Sequence, residues 1–315
     1  MYNKDILVSI VCEVYNHEAF LRDCLDGFVT QVTNFGFVIL IHDDASTDSS
    51  PIIIKEYVKK YPHLFKPIFQ KENQYSRGIN VWTTYQFPRV QTKYIALCEG
   101  DDYWTDKYKL QKQIDFMENH KAYSMCFHNA IEHFEDNPQN DHQFSNVENR
   151  DYTGLEIYEN WLVHTASVVI RKDVTECRLF NKLFHERSFK FGDILLFLSA
   201  SSCGKIYGMT DIMSVYRRHS SSITARVNFG RESTQIKLAK DFIELAKIMG
   251  KDYKPYAEKN YTQNYLTLFM LSKEKGATNW KYLWNALFRY PMNFLRFSPH
   301  KHKHYITKIM NLLKP

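Results

Sequence analysis

Residues Ile6-Leu7-Val8-Ser9-Ile10-Val11 form a short β-rich run, and residues 37–41 form a second one. Between the two runs, apolar residues recur at helical spacing, namely Phe20, Leu21, Cys24, Leu25, Phe28 and Val29. A strand, a helix and a strand in this order predict two parallel strands joined by a right-handed crossover. This stretch therefore decides the fold class, which is α/β.

The alternation of short apolar runs and helical patterns continues along the chain. Further strands are expected at residues 68–69, 94–98, 123–127, 163–170, 205–209 and 213–216. Helices are expected near residues 52–61, 79–87, 107–118 and 193–203, and residues 133–153 read as a polar surface insertion or mobile loop. The prediction is a doubly wound, mostly parallel Rossmann-like sheet with helices on both faces.

The pattern changes after about residue 230, where it becomes helical throughout. We therefore expect an α/β domain at residues 1–229. Residues 230–315 form the expected helical C-terminal region.

Composition and charge exclude several classes of protein. The chain has 315 residues, with 44% hydrophobic and 24% charged residues, which argues against disorder, collagen and coiled coil. Lys and Arg number 41 against 35 Asp and Glu, and most basic residues are dispersed among acids, so a nucleic-acid interface is not expected. The sequence shows no signal peptide, no apolar window of about 18 residues and no zinc-like Cys spacing, so the expected location is the cytoplasm.

Polar clusters follow three of the predicted strands, at residues 16–18, 42–44 and 99–102. Open α/β sheets bind ligands beyond the carboxyl ends of their strands, so these clusters are the candidates for a site. The densest is Glu99-Gly100-Asp101-Asp102, where three carboxylates within four residues repel one another unless a cation is present. A magnesium-diphosphate site and a solvated acidic turn before the helix near Thr105 are both open on these residues alone.

The string at residues 38–48 ends a strand in His42-Asp43-Asp44. An Asp at a strand end can accept a hydrogen bond from the ring N–H of a uracil or from a ribose hydroxyl. For Ser46 and Asp48 the simpler interpretation, a turn that caps the next helix, is favoured.

Taken together and in order, these strings resemble the family 2 glycosyltransferases of the GT-A fold. The resemblance covers roughly residues 6–220 and rests on five stretches, namely 8–17, 42–48, 73–80, 99–104 and 192–193 with 216–219. It implies an inverting enzyme that uses a nucleotide-sugar, with Mn²⁺ or Mg²⁺ as the metal. It also implies that residues 1–229 form a GT-A catalytic domain, with a nucleotide-binding half at about 1–104 and an acceptor half at about 105–229.

The resemblance assigns roles to individual residues. The nucleotide would be held by Tyr15, Asn16, Glu18, Asp44, Arg77, Glu99 and Gly100. The metal would be held by Asp101, Asp102 and His219, and the donor or acceptor pocket would be lined by Trp104, Thr165 and Ser167, for which core packing is an equal alternative. Two departures from the common pattern are Glu99 in the first acidic position, on the ribose side, and Glu13-Val14 before Tyr15.

Asp193 matches the catalytic base of that family. A carboxylate there can take the proton from a sugar hydroxyl as the hydroxyl oxygen attacks the anomeric carbon. The alternative role is to cap the helix that follows it, and one residue can serve both purposes.

Two other classes of function compete with a glycosyltransferase. A nucleotidyltransferase would share the fold class, but it usually carries a Gly-rich loop after the first strand, and residues 11–18 contain no glycine. A non-catalytic nucleotide-sugar-binding or scaffold protein would be expected to lose the metal carboxylates, which are retained here.

The C-terminal region is rich in aromatic residues, and two interpretations remain open for it. Its apolar residues could pack on the catalytic domain, which we favour, or could rest on an anionic bilayer that carries a lipid-linked acceptor. They are Trp280, Tyr282, Leu283, Trp284, Leu287, Phe288, Tyr290, Phe294, Leu295 and Phe297. The expected partners are a nucleotide-sugar, most simply a UDP-sugar, and a saccharide or lipid-linked saccharide acceptor.

Overall fold

A computed structural model describes residues 5–185, 189, 191–220, 222, 232–274 and 278–296. The chain divides into two compact units, Met1–Ser222 and Ile223–Pro315. The expected boundary between residues 229 and 230 lies outside the described residues.

The first unit is built on a single ten-stranded sheet. Its strands are β1 (Ile6–Val14), β2 (Gly36–Asp43), β3 (Ile68–Phe69), β4 (Tyr94–Leu97), β5 (Tyr103–Trp104), β6 (Tyr123–Phe134), β7 (His142–Gln143), β8 (Arg150–Tyr152), β9 (Val169–Arg171) and β10 (Lys205–Arg218). The strand order is β3-β2-β1-β4-β9-β6-β10-β5, with β7 paired to β6 and β8 to β10. The pairs β1–β2, β1–β4, β2–β3 and β6–β10 are parallel, and β9 joins β4 to β6 in the antiparallel sense.

The helices of this unit connect the strands, as the apolar periodicity predicts. They are α1 (Leu21–Val29), α2 (Ser50–Lys60), α3 (Lys109–Asn119), α4 (Gly154–Asn160), α5 (Arg178–Phe184) and α6 (Gly192–Cys203). One core cluster contains the central strand residues Val8 and Ile10, the α1 residues Leu21 and Phe28, and Ile114 of α3. The predicted α/β class with a helical C-terminal region is confirmed.

Some local expectations were wrong. The strand expected over residues 163–170 begins only at Val169, because Thr165–Ser167 form a 3-10 turn. The two strands expected between residues 205 and 216 are one strand, β10, which continues through register shifts against β6 near residues 209–214. The loop expected at 133–153 contributes the end of β6 and both short strands β7 and β8.

The helical stretch expected at residues 79–87 is present in another form. Trp82–Gln86 form a π-helical turn that leads into a 3-10 turn at Phe87–Arg89. Of the six cysteines, four are buried, Cys177 is half-buried and Cys203 is exposed.

The second unit is helical over its described residues. Its helices are α7 (Glu232–Met249), α8 (Lys254–Glu274), α9 (Trp280–Arg289) and α10 (Pro291–Arg296). Aromatic rings of α8 and α9, including Tyr261, Tyr265, Phe269 and Tyr282, form its core. Within the part of the chain that the structure describes, no helix has the length and apolar character that crossing a bilayer requires.

Candidate active site

Three loops meet at one edge of the sheet because β2, β1 and β4 are parallel neighbours. The loop after β1 begins at Tyr15, the loop after β2 begins at Asp44, and the loop after β4 carries Glu99, Asp101 and Asp102. Parallel strands place their carboxyl ends together, so the three polar clusters of the sequence converge here.

The three acidic side chains after β4 form a compact group. Glu99, Asp101 and Asp102 each offer a carboxylate oxygen, and these oxygens lie within 4.8 Å of one another. Glu99 is exposed, whereas Asp101 and Asp102 are buried. The resemblance assigns Glu99 to the ribose, but the geometry also groups its carboxylate with the two candidate metal ligands.

Two histidines approach the carboxylate of Asp101. Nε2 of His219 lies 3.1 Å from Oδ2 of Asp101, and Nε2 of His17 lies 3.7 Å from the same oxygen. Burial alone would raise the pKa of Asp101, but the two imidazoles outweigh it and lower that pKa below its ordinary value. Asp101 is therefore held as a carboxylate that points into the cluster.

Among the described residues, only one of the two carboxylate oxygens of Asp102 has a hydrogen-bond partner. Its Oδ1 accepts a hydrogen bond of 2.9 Å from the backbone N–H of Arg217. Its Oδ2 is buried and has no hydrogen-bond partner among the described residues. Burial, followed by the charge of Asp101, raises the pKa of Asp102 well above its ordinary value.

This donor set fits a divalent cation. A buried carboxylate oxygen without a hydrogen bond normally has a hidden partner, and hard cations take carboxylate oxygens. Although Glu99 is exposed at the surface, the protein atoms around its carboxyl group partly desolvate it, and this desolvation and the charges of Asp101, Asp193 and Glu13 raise its pKa to about 8. A cation between these carboxylates would remove the repulsion that disfavours their charged forms.

Arg217 connects the acidic loop to two other elements. Its Nε donates to the backbone oxygen of Asp101 at 2.9 Å, and one terminal nitrogen donates to Asp23 of α1 at 2.8 Å. The other terminal nitrogen donates to Glu135, just after β6. The Arg217 side chain is only 7% exposed, and its hydrogen bonds join the acidic loop to α1 and to the segment after β6.

Asp193 lies at the beginning of α6, where its Oδ1 accepts the backbone N–H of Ile194 at 2.9 Å. Burial raises the pKa of Asp193 above its ordinary value. Its charge is among the causes that raise the pKa of Glu99, so the two carboxylates interact electrostatically. The negative charge of Asp193 therefore disfavours the ionised form of Glu99.

The side chains of Asn16 and Glu18 bind the loop that follows β2. Oδ1 of Asn16 accepts the backbone N–H of Thr47 at 2.7 Å, and Oε2 of Glu18 accepts that of Ser49 at 2.7 Å. Asn16 adopts a positive φ of 58°, which Asn tolerates better than most residues. These two side chains shape the loop, while Tyr15 stands half-buried at its start.

Asp44 anchors the next segment of the predicted nucleotide site. Its two carboxylate oxygens accept the backbone N–H groups of Gln74 and Tyr75, at 2.7 and 3.0 Å. Arg77 follows on the same short turn, is exposed, and pairs with Glu72 at 2.8 Å. The segment 73–77 is thereby fixed to the end of β2.

The three residues expected to line a sugar pocket are largely buried. Trp104 is 4% exposed, with Nζ of Lys109 4.1 Å from its ring centroid and its Nε1 donating to the backbone oxygen of Ala166 at 2.9 Å. Ser167 is fully buried and Thr165 is 9% exposed. The indole of Trp104 therefore supports the 165–167 turn from the core and presents no open face for a sugar ring.

His17, His164 and Arg217 contact the acidic residues and were not singled out by sequence reasoning. His17 lies in the 8–17 stretch and Arg217 in the 216–219 stretch, and both stretches carry the family resemblance. His164 had no such signal. Its contact with Asp102 depends on tertiary packing between segments about 60 residues apart.

An α/β sheet with a carboxylate cluster beyond the ends of its parallel strands is an arrangement suited to binding a divalent cation and a phosphate-bearing ligand. The model of the family described as Glycosyl transferase family 2 matches residues 9–179. The chain belongs to glycosyl transferase family 2.

A curated relative from Mycobacterium tuberculosis (strain H37Rv), an uncharacterized protein, is 35% identical over 217 residues. The match covers 69% of this chain and 60% of that relative, so the chain spans about 60% of the length of the curated relatives it matches first.

Two solved structures share the fold. Staphylococcus aureus TarS 1–349 in complex with UDP-GlcNAc matches with a TM-score of 0.57 at 17% identity, covering 86% of this chain and 75% of that one. The mannosyltransferase PcManGT from Pyrobaculum calidifontis, in complex with GDP-Man and Mn²⁺, matches with a TM-score of 0.54 at 14% identity, covering 84% and 72%. The predicted family and fold are confirmed.

Proposed function

We propose that this chain is an inverting glycosyltransferase that moves a sugar from a UDP-sugar to a glycan or lipid-linked saccharide. By resemblance, the product belongs to cell-surface polysaccharide synthesis, at the cytoplasmic face of the membrane. The observation that carries the proposal is the carboxylate cluster of Glu99, Asp101 and Asp102 beyond β4, coupled electrostatically to Asp193.

Asp101, Asp102 and His219 would hold Mn²⁺ or Mg²⁺ in this proposal. When bound, the ion neutralises the negative charge that develops on the departing nucleoside diphosphate. The unsatisfied Oδ2 of Asp102 and the short contact between His219 and Asp101 support this assignment.

The nucleotide would lie across the loops after β1, β2 and β4. Tyr15 and Arg77 would contact the base and diphosphate, and Glu99 the ribose. Asp44 would hold the 73–77 segment beside the nucleotide, since both of its carboxylate oxygens already accept backbone N–H groups. Asn16 and Glu18 would act by holding the loop shape, since their acceptor atoms already bind Thr47 and Ser49. Gly100 allows the loop after β1 to lie close to the acidic residues. A Cβ at Gly100 would lie 2.9 Å from Nδ1 of His17, which is in that loop.

Asp193 would act as the catalytic base. As the acceptor hydroxyl oxygen bonds to the anomeric carbon, the hydroxyl proton passes to a carboxylate oxygen of Asp193. The bond between the anomeric carbon and the diphosphate oxygen breaks, and its electron pair leaves with the diphosphate. Attack from the face opposite the leaving group inverts the anomeric configuration. A carboxylate with a raised pKa is suited to taking a proton in this step.

The donor can be identified by a thermal-shift panel of nucleoside diphosphates, each with and without Mn²⁺. We expect UDP with Mn²⁺ to raise the melting temperature most, because a ligand that binds the folded state stabilises it. A hydrolysis screen of the nucleotide-sugars that carry the most stabilising base then identifies the donor sugar. Stabilisation without turnover of any donor or acceptor would favour the alternative of a binding or scaffold protein.

The base is tested by Asp193→Asn, which should abolish transfer and leave metal-dependent UDP binding nearly intact. The fold should tolerate this change, because the Asn oxygen can still accept the N–H of Ile194. The matched control is Asp173→Asn, an exposed acid in a short helical turn of the same unit. Equal loss of UDP binding and turnover in Asp193→Asn would contradict the role assigned to Asp193.

A further inference from the structure

Helix α9 has one buried face and one aromatic face in contact with solvent. Tyr282, Leu283 and Ala286 are buried in the core of the second unit. On the other side, Trp280, Trp284 and Phe288 are 41%, 42% and 74% exposed. These three residues, spaced by four, form one stripe along the helix, here called the aromatic stripe.

Two rings of the aromatic stripe stack on each other, and the third, that of Trp280, packs against Phe269 of α8 with centroids 5.5 Å apart. The rings of Trp284 and Phe288 stack with centroids 5.2 Å apart, and Met292, at the start of α10, is 59% exposed. Single exposed apolar residues need no explanation, but a contiguous exposed row of large aromatic rings usually marks an interaction surface.

The stretch of sequence that contains the stripe carries basic residues and no acidic ones. Residues 275–315 contain eight Lys and Arg and three His, and no Asp or Glu. Residues 1–274 contain 33 Lys and Arg against 35 Asp and Glu, so the net positive charge of the chain comes from its last 41 residues. Lys281 is exposed and lies three residues before Trp284, beside the stripe.

We propose that the aromatic stripe and Lys281 beside it dock on an anionic phospholipid bilayer, to which the acid-free sequence of residues 275–315 adds electrostatic attraction. Trp and Phe on the exposed face of a helix partition into the interface between headgroups and acyl chains. Lys and Arg beside them attract anionic headgroups, each by about 1 kcal/mol. Helix α9 therefore lies along the membrane surface, with its opposite face in the core of its own unit.

A bilayer explains these features better than a protein partner does. An acid-free stretch of this length favours a partner whose surface is uniformly negative, and an anionic leaflet is such a surface. The docking surface deepens the proposed function, since it would bring the enzyme to a lipid-linked acceptor. Membrane binding itself requires no glycosyl transfer, so it can be measured without donor or acceptor.

The test is flotation of the full chain with vesicles in the absence of nucleotide. We expect binding to vesicles of equal parts phosphatidylglycerol and phosphatidylcholine, little binding to pure phosphatidylcholine, and weakening of the binding by salt. A full chain that stays with the soluble fraction under all of these conditions would overturn the proposal, whatever its transferase activity.

The stripe is tested by the double variant Trp284→Ala/Phe288→Ala, which should lose about tenfold or more in vesicle affinity. The matched control is Ile52→Ala/Tyr108→Ala, which removes two exposed apolar side chains from the first unit and should leave binding unchanged. The charge is tested by Lys281→Glu against Lys240→Glu, an exposed lysine on α7. Only Lys281→Glu should weaken binding strongly.

Two results would assign the stripe to a different partner and overturn the proposal. The first is self-association of the wild-type chain in sedimentation that disappears in the double variant, with vesicle binding unaffected. The second is a lower melting temperature of the double variant with unchanged vesicle binding, which would place the stripe in an internal contact.

Discussion

Nε2 of His164 faces Oδ2 of Asp102 at 3.6 Å, and both side chains are buried. Nδ1 of His164 accepts the backbone N–H of Ala166 at 3.3 Å, so the ring proton is on Nε2, toward the carboxylate. Burial lowers the pKa of His164 to about 3, which keeps the ring neutral. The contact exceeds hydrogen-bond length, so His164 lies beside the free oxygen of Asp102 without occupying it.

We expect His164→Ala to lower Mn²⁺ affinity and kcat/KM by about tenfold to a hundredfold, as is typical when a residue that supports a metal ligand is lost. Calorimetric titration with Mn²⁺ and steady-state kinetics would measure both. His164→Gln should recover part of the loss, because its amide can place an N–H near the position of Nε2.

The matched control for His164 is His142→Ala, which removes a half-exposed imidazole that pairs with Glu132 on the sheet surface. It should leave metal affinity and kinetics unchanged. If His164→Ala kept normal metal affinity and lowered only kcat/KM, His164 would support the turn at residues 165–167 and not Asp102.

Asp101→Asn should reduce Mn²⁺ affinity by more than the roughly hundredfold loss typical of a supporting residue, because it removes a charged ligand. The fold should survive, since an Asn oxygen can still accept from His219. Calorimetry with Mn²⁺ and thermal melting without metal measure the two effects. Chelation of the wild type should abolish turnover, and added Mn²⁺ should restore it.

Asp141→Asn is the control for Asp101, because Asp141 is also a carboxylate paired with a histidine, with Nδ1 of His133 2.6 Å away. It lies outside the acidic cluster and should bind Mn²⁺ as the wild type does. If Asp101→Asn bound Mn²⁺ as tightly as Asp141→Asn, the metal assignment would be wrong.

The order of strands and helices was predictable because hydrophobic periodicity is a local property. The run at 6–11, the helix that follows and the acidic motif after β4 each appear within a short window of sequence. The edge at which the loops meet then follows from the parallel pairing of β1 with β2 and β4.

Long-range contacts were not predictable from spacing. The backbone N–H of Arg217 reaches Asp102 across 115 positions of sequence, and the contact exists only because β10 pairs with both β6 and β5. The error at 163–170 has a similar cause. The apolar residues on either side of Thr165–Ser167 make the stretch resemble a strand. Hydrogen bonds from the side chains of Trp104 and Gln113 to the backbone oxygens of Ala166 and Ser167 instead hold it in a turn.

Gly100→Ala should destabilise the protein by about 1–3 kcal/mol, the usual cost of overpacking a buried site. Its Cβ would lie 2.9 Å from both Nδ1 of His17 and Cγ2 of Val14, so the loop after β1 must shift away from Asp101. Urea denaturation would measure the stability and calorimetry the accompanying loss of Mn²⁺ affinity.

The comparison variant for Gly100 is Gly192→Ala at the start of α6. The nearest atom to a Cβ there is a ring carbon of Trp82 at 3.9 Å, an ordinary contact, so stability should change little. Equal stabilities for the two variants would mean that the approach of His17 to the acidic loop imposes no steric requirement at Gly100.

The pH dependence of transfer should report on Asp193. Burial raises its pKa above the ordinary value of 3.8, and the base works only when deprotonated, so kcat/KM should fall on the acid side with an apparent pKa above 3.8. Moving the carboxylate into water should lower that pKa. Leu196 is buried three residues further along α6, on the same side of the helix as Asp193, and Leu196→Ala, by loosening the packing, should shift the acid limb toward lower pH.

The control for this shift is Ile54→Ala, which opens a comparable space in α2, a helix between β2 and β3 in the same unit. It should lower stability and leave the acid limb in place. An acid limb that stays unchanged in the residual donor hydrolysis of Asp193→Asn would assign the titration to another group, and Asp193 would then be a helix cap without a catalytic role.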